Sequence, residues 1–130
     1  MINLHCTNTK KQGDVGVGAA IGWFAKNHYT VLIPLTDSQE YDLVVEKDNI
    51  LQTVQVKTTR SKKRDVYQVS LRTNGGNRSG SGVQKMFNHE VNDILFVLAE
   101  DESMYVIPTS AFKAKTTLSL CSKYNAFIVN

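Results

Sequence analysis

A chain of 130 residues with 42% hydrophobic side chains suits one domain around a single core. No run approaches the roughly 18–20 apolar residues that cross a bilayer, and residues 1–11 lack the apolar centre of a signal peptide, so no membrane partner and a cytoplasmic, intracellular setting are expected. The net charge of +3 is unevenly spread: residues 57–87 hold eight basic side chains and one acid, leaving seven basic against eleven acidic elsewhere. Such a basic segment on an otherwise acidic chain is the footprint of a polyanion site, with a merely solvated basic face as the alternative.

In chain order, residues 13–27 read as a helix, with Val17, Ala20, Ile21 and Phe24 at helical spacing and Asn27 as C-cap. Gly16, Gly18 and Gly22 each cost the helix about 1 kcal/mol relative to Ala, so it requires packing, and its glycines allow close approach to a sheet. Residues 29–35 form a short strand, and 42–47 and 51–59 form two strands joined by a tight turn at Asp48-Asn49. Residues 65–72 alternate apolar and polar as a further strand, and the glycine-rich stretch 73–82 is a long loop. Residues 93–99 are a nearly continuous apolar run, the pattern of a strand covered on both faces. Residues 104–107 pair with it across the acidic turn Glu100-Asp101-Glu102. Pro108 stops that strand, Thr109 or Ser110 caps a short helix through Lys115, and 126–129 add an edge strand. The expected fold is α/β: a single domain over 1–130 whose central mixed β-sheet is flanked by helices. Cys6 and Cys121 read as reduced thiols, and His5, His28 and His89 as isolated surface or capping residues.

The segment 41–57 carries the chemistry. Side chains alternate along a strand, so Gln55 and Lys57 share one face, and pairing through the Asp48-Asn49 turn brings Asp42 beside them. A carboxylate, an amide oxygen and an ammonium then converge on an otherwise apolar hairpin. That set suits a hard divalent cation beside a phosphate. Asp42 is the expected Mg²⁺ ligand, with Mn²⁺ as a substitute metal. The Gln55 side-chain oxygen and the Val56 backbone carbonyl add to it, and Lys57 is the catalytic lysine that orients or deprotonates water. Individually, Asp42 could be a strand-start acid, Gln55 a solvent-facing amide and Lys57 an edge charge; jointly, with Thr58 and Arg60 directly following, they are harder to explain as decoration.

Asp42 followed by Gln55-Val56-Lys57 resembles the signature of the PD-(D/E)-x-K nuclease superfamily in its glutamine variant. The wider text, from Gly13-Asp14-Val15-Gly16-Val17 through Tyr41-Asp42-Leu43-Val44-Val45 to Leu71-Arg72-Thr73-Asn74-Gly75-Gly76-Asn77, is similar to small endonucleases associated with group I introns, homing endonucleases among them. The resemblance implies a restriction-endonuclease-like core, Mg²⁺-dependent cleavage of double-stranded DNA at the nucleoid, and a homo-oligomer, dimer or tetramer. It also implies an acid from the first helix as a further metal ligand. Val17 stands at the position expected for that acid, and Asp14 is the only acid before residue 36. Asp14 either substitutes as the ligand or is the helix N-cap.

DNA contacts are expected from the basic segment. Thr58, Arg60, Lys62, Lys63 and Arg64 follow the catalytic strand and suit backbone phosphates. Arg72, Asn74, Asn77, Arg78 and Lys85 lie in the 72–85 strand-and-loop, where Arg matches guanine and Asn matches adenine. The rival readings are a Holliday-junction resolvase-like nuclease, a DNA-binding module that lost catalysis, and a basic domain for another polyanion.

Overall fold

The computed structural model describes residues 8–74 and 84–130. Helix α1 (Thr9–Lys26) begins four residues earlier than apolar periodicity suggests, because its N-cap is Asn8, whose side chain accepts from the Lys10 N–H at 2.9 Å. The N-cap reading of Asp14 is therefore corrected: Asp14 lies in the second turn. Its polar first turns carry no apolar signal because they bury little; of residues 9–15 only Gln12 is half-buried and the rest are exposed. Packing begins at Gly16 and continues through Ala20 and Phe24, and Asn27 is the C-cap as expected.

Six strands make the main sheet: β1 (Thr30–Leu32), β2 (Leu43–Lys47), β3 (Ile50–Thr59), β8 (Ile94–Ala99), β9 (Met104–Pro108) and β11 (Ile128–Val129), in that spatial order. The β2–β3 hairpin turns through Asp48 and Asn49, both with positive φ (53° and 66°), the geometry that matches strand twist in two-residue turns. β3 then pairs in parallel with β8, and β9 returns antiparallel, so the sheet is mixed. All six β8 residues are buried, which accounts for the unbroken apolar run at 94–99. Ile94, Phe96 and Leu98 face α1 with Leu43, Val45, Val54 and Val56, while Leu95, Val97 and Ala99 face the opposite core.

That opposite face is covered by a second sheet, β10 (Thr117–Ser119), β5 (Val66–Ser70) and β4 (Lys62–Lys63), where a flanking helix was expected. The Thr-Leu-Ser-Leu alternation at 117–120 is the signal that marks β10, with Leu118 and Leu120 buried beside Tyr67, Val69 and Leu71. The anticipated helix through Lys115 is only a 3-10 turn, Thr109–Ala111, without a side-chain cap; the Thr109 hydroxyl donates instead to Asn92 O at 2.6 Å. A two-stranded ribbon, β6 (Thr73–Asn74) with β7 (Gln84–Lys85), follows β5. His89 is half-buried, and its ring nitrogens lie 3.0 and 2.8 Å from the carbonyls of Thr109 and Ala114. Cys121 is free, and Cys6 and His5 lie outside the described residues. No helix among the described residues is long and apolar enough to cross a membrane.

Gly16 sets the distance between α1 and β3. A Cβ there would lie 2.6 Å from Thr58 Cγ2 and 3.2 Å from Val56 Cγ1, whereas Cβ atoms at Gly18 and Gly22 would meet nothing within 4 Å. Gly16→Ala is therefore expected to destabilise by about 1–3 kcal/mol through overpacking. Gly18→Ala and Gly22→Ala are expected to stabilise by about 0.5–1 kcal/mol each through helix propensity. Urea denaturation of the three variants decides it; equal effects at all three positions would refute the close approach.

Candidate active site

The site forms where β2 begins alongside the middle of β3. Asp42 N–H donates to Val54 O at 2.9 Å, which anchors its backbone to β3 just before the ladder of β2. Its Oδ2 then accepts two hydrogen bonds, from Val56 N–H at 2.8 Å and from Gln55 Nε2 at 2.9 Å. Lys57, two residues beyond Gln55 and on the same face, donates from Nζ to Arg72 O at 2.9 Å. The group sits in the centre of the sheet, with Gln55 opposite Leu95 and Lys57 opposite Val97 of β8.

Central placement makes the site electrostatically costly. Burial pushes the Asp42 carboxyl above its usual range, partly offset by the Val56 N–H and the Lys57 charge. Burial also pulls the Lys57 ammonium below its usual range, partly offset by Asp42. No second carboxylate contributes to the shift of Asp42. Gln55 is 6% exposed, and its Oε1 is buried with no hydrogen-bond partner among the described residues. Since Nε2 is committed to Asp42, that oxygen points to an electropositive occupant. An acid at position 55 would instead set two like charges at hydrogen-bond distance, which a site without a cation cannot sustain.

Comparison with known proteins fits this geometry. The model of the PD-(D/E)XK endonuclease family matches residues 7–126. The chain belongs to that family. The structure is also similar to that of a bacterial homing endonuclease, I-Ssp6803I, at a TM-score of 0.72 and 31% identity, covering 88% of this chain and 79% of that one. No curated protein matches the chain.

In this endonuclease the structure brings together Asp42, Gln55, Val56 and Lys57, and does not bring in Asp14, which is exposed. Val17 instead packs against the helix-side core. No cluster of three or more His, Cys, Asp or Glu side chains suited to a metal occurs among the described residues. Thr58 is half-buried under Gly16, and Arg60, Lys62, Lys63 and Arg64 are exposed after it. The basic run is a second hairpin: Arg64 and Asp65 both have positive φ, 52° and 63°, joining β4 to β5. Lys62 Nζ lies 4.7 Å from the Tyr67 ring centroid. Arg72 is exposed at the end of β5, and Lys85 approaches Glu40 at 4.0 Å, a separation worth little in solvent. Asn74 pairs through its backbone with Gln84, and Asn77 and Arg78 lie outside the described residues. Sequence reasoning missed the Arg72 carbonyl as the partner of Lys57, since main-chain acceptors carry no residue-type signal.

The two half-buried charges make stability pH-dependent in opposite directions. The folded state holds the Asp42 proton more tightly than the unfolded chain, whose carboxyl pKa is 3.8, so this group removes stability as pH rises from there through its folded pKa. For Lys57 the lowered folded pKa means that stability returns as pH rises from that value toward the unfolded 10.5. Lys57→Met removes the compensating charge, so the Asp42 carboxyl should titrate at higher pH than in the wild type. Carboxyl ¹³C NMR reads this directly, and an unchanged midpoint would show the pair to be uncoupled.

Proposed function

We propose that the chain is a Mg²⁺-dependent endonuclease that cleaves double-stranded DNA at a specific, homing-type target. The observation that carries this reading is the Asp42–Gln55–Val56 hydrogen-bonded group with Lys57 beside it on the central strand. The donor set fits one divalent ion: the Asp42 carboxylate and the partnerless Gln55 Oε1 are both hard oxygens, with the Val56 carbonyl as a third. Such an ion, Mg²⁺ or Mn²⁺, would supply Lewis acidity and a more acidic water. Lys57, whose proton is loosened by burial, hydrogen-bonds the attacking water or the phosphate oxygens and offsets charge as it develops. The Val56 N–H fixes the Asp42 carboxylate, so that a divalent ion held there would lie beside Lys57.

The basic hairpin at Arg60, Lys62, Lys63 and Arg64 supplies backbone contacts, and base reading belongs to Arg72 and the segment that continues it through the β6–β7 ribbon to Lys85, a reading supported by the Arg and Asn side chains of that segment. The homing neighbour supports a sequence-specific target over a branched junction. Self-association as a dimer or tetramer is supported by apolar side chains left exposed on the first three strands and the adjoining loop, Leu32, Ile33, Leu35, Ile50 and Leu51. A second reading, a DNA-binding module without catalysis, is favoured by one observation: Asp42 is the only carboxylate in the hydrogen-bonded group.

Incubation of the purified protein with duplex DNA and Mg²⁺ separates the readings. Cleavage is expected, lowered by about 10²-fold or more in Asp42→Ala and in Lys57→Ala. It should be unchanged in Asp14→Asn. Tight, salt-sensitive binding with no nicking under Mg²⁺ or Mn²⁺ would establish the binding module instead.

A further inference from the structure

Beyond Lys57 the end of β3 opens into a cleft of about 360 Å³ bounded by α1, β5 and β10. Its rim is Gln12 of α1, Thr58, Arg60 and Ser61 at and after the end of β3, and Ser70 with Thr117, which face each other across the β5–β10 pair. Its floor is internally bonded: the Thr59 hydroxyl donates to Gln68 O, Gln68 Nε2 donates to Val66 O at 3.2 Å, and Gln68 Oε1 accepts from the Ser119 hydroxyl at 2.7 Å. The floor groups are thus spent on each other, which keeps the shape of the cleft rigid without a ligand. No carboxylate is among the described residues that line it.

Hydroxyls, an amide and a guanidinium around an opening whose described lining residues include no Asp or Glu are suited to an oxyanion that only accepts hydrogen bonds. Position narrows the class. Arg60 lies three residues past Lys57 on an extended strand, roughly 10 Å along the chain. An oxyanion in the cleft therefore neighbours the phosphate at Lys57. The first turns of α1 support the same occupant: Gln12 is half-buried at this cleft while every other residue of 9–15 is exposed. We propose that the cleft binds the sugar-phosphate backbone next to the reacting phosphate, with Gln12, Ser70 and Thr117 as contact residues. This rests on the nuclease reading and extends it to three residues outside both the catalytic group and the basic segment. It also gives the early start of α1 a purpose, since the turns that bury little carry Gln12 to the DNA.

The test is duplex binding by the full chain in Ca²⁺, read by fluorescence anisotropy over a range of salt concentrations, with Mg²⁺ cleavage measured alongside. Ser70 and Thr117 are exposed, so Asp at either leaves the core intact. Ser70→Asp and Thr117→Asp should each weaken binding by about tenfold through like-charge repulsion. That loss should grow as salt is lowered. Thr117→Ser should bind like the wild type. Thr30→Asp adds the same charge on β1, paired with Glu46 beside the start of β3 and so at the opposite end of that strand from the cleft, and should change affinity by less than about twofold. Ser70→Asp and Thr117→Asp proteins that bind no worse than Thr30→Asp would overturn the cleft while wild-type cleavage leaves the nuclease reading standing. A wild type that neither binds nor cuts duplex DNA would overturn both.

Discussion

The Asp42 carboxylate, held on one oxygen by the Val56 N–H and the Gln55 amide, is the constraint on which the rest of the structure depends. It ties the start of β2 to the middle of β3 at the point where the hairpin ladder ends, and it fixes which face of the central strand is polar. Every other feature of the site is measured from that bond pair: Lys57 two residues along, the basic hairpin beyond it, and the polar cleft between α1 and the second sheet. A half-buried carboxylate held this way is unfavourable for folding alone, because burial outweighs the Val56 hydrogen bond and the Lys57 charge.

The amide at position 55 follows from the same electrostatics. Gln55 donates to Asp42 and still presents an oxygen, which an acid in that place could do only by taking up a proton. Val17 on α1 continues the trend, since it joins the apolar packing where a further acid would otherwise face the sheet. The result is a site with one formal negative charge, one loosened lysine proton and, among the described residues, one oxygen without a hydrogen-bond partner. Such a set folds without metal more readily than a cluster of acids, and it leaves more of the phosphate charge to be met by the surrounding cations and hydroxyls. The basic hairpin lies in solvent and the polar cleft lies on a bonded floor, both beyond the same end of β3.

The Lys57 bond to Arg72 O ties the central strand to the segment between β5 and the β6–β7 ribbon through the main chain. Arg72 is the last residue before that ribbon, so the carbonyl that seats the lysine lies where the chain leaves the second sheet. The second sheet serves as the bracket for this connection. Its β5 strand is held by β10 on one side and β4 on the other, and its buried Tyr67, Val69 and Leu71 anchor it to the core under β8.

Much of this was legible in the residues themselves. The β2–β3 hairpin was, because Asp48-Asn49 suits the left-handed turn and alternation alone assigns Gln55 and Lys57 to one face. The burial of 94–99 was, because only a strand covered on both sides tolerates six apolar residues in a row. The motif Asp42 with Gln55-Val56-Lys57 marked the family for the same local reason, since hairpin register is short-range. What the tertiary structure alone decided involves partners distant in sequence. It placed Asp14 in solvent, because helix packing begins only at Gly16 against Thr58. A second sheet took the face where a helix was expected, because β10 pairs with a strand some fifty residues earlier. The lysine's partner proved to be a backbone carbonyl, and the polar cleft was assembled from α1, β3, β5 and β10. Local pattern carries periodicity and turn chemistry; the meeting of four separate elements depends on how their apolar faces pack, and no single segment records it.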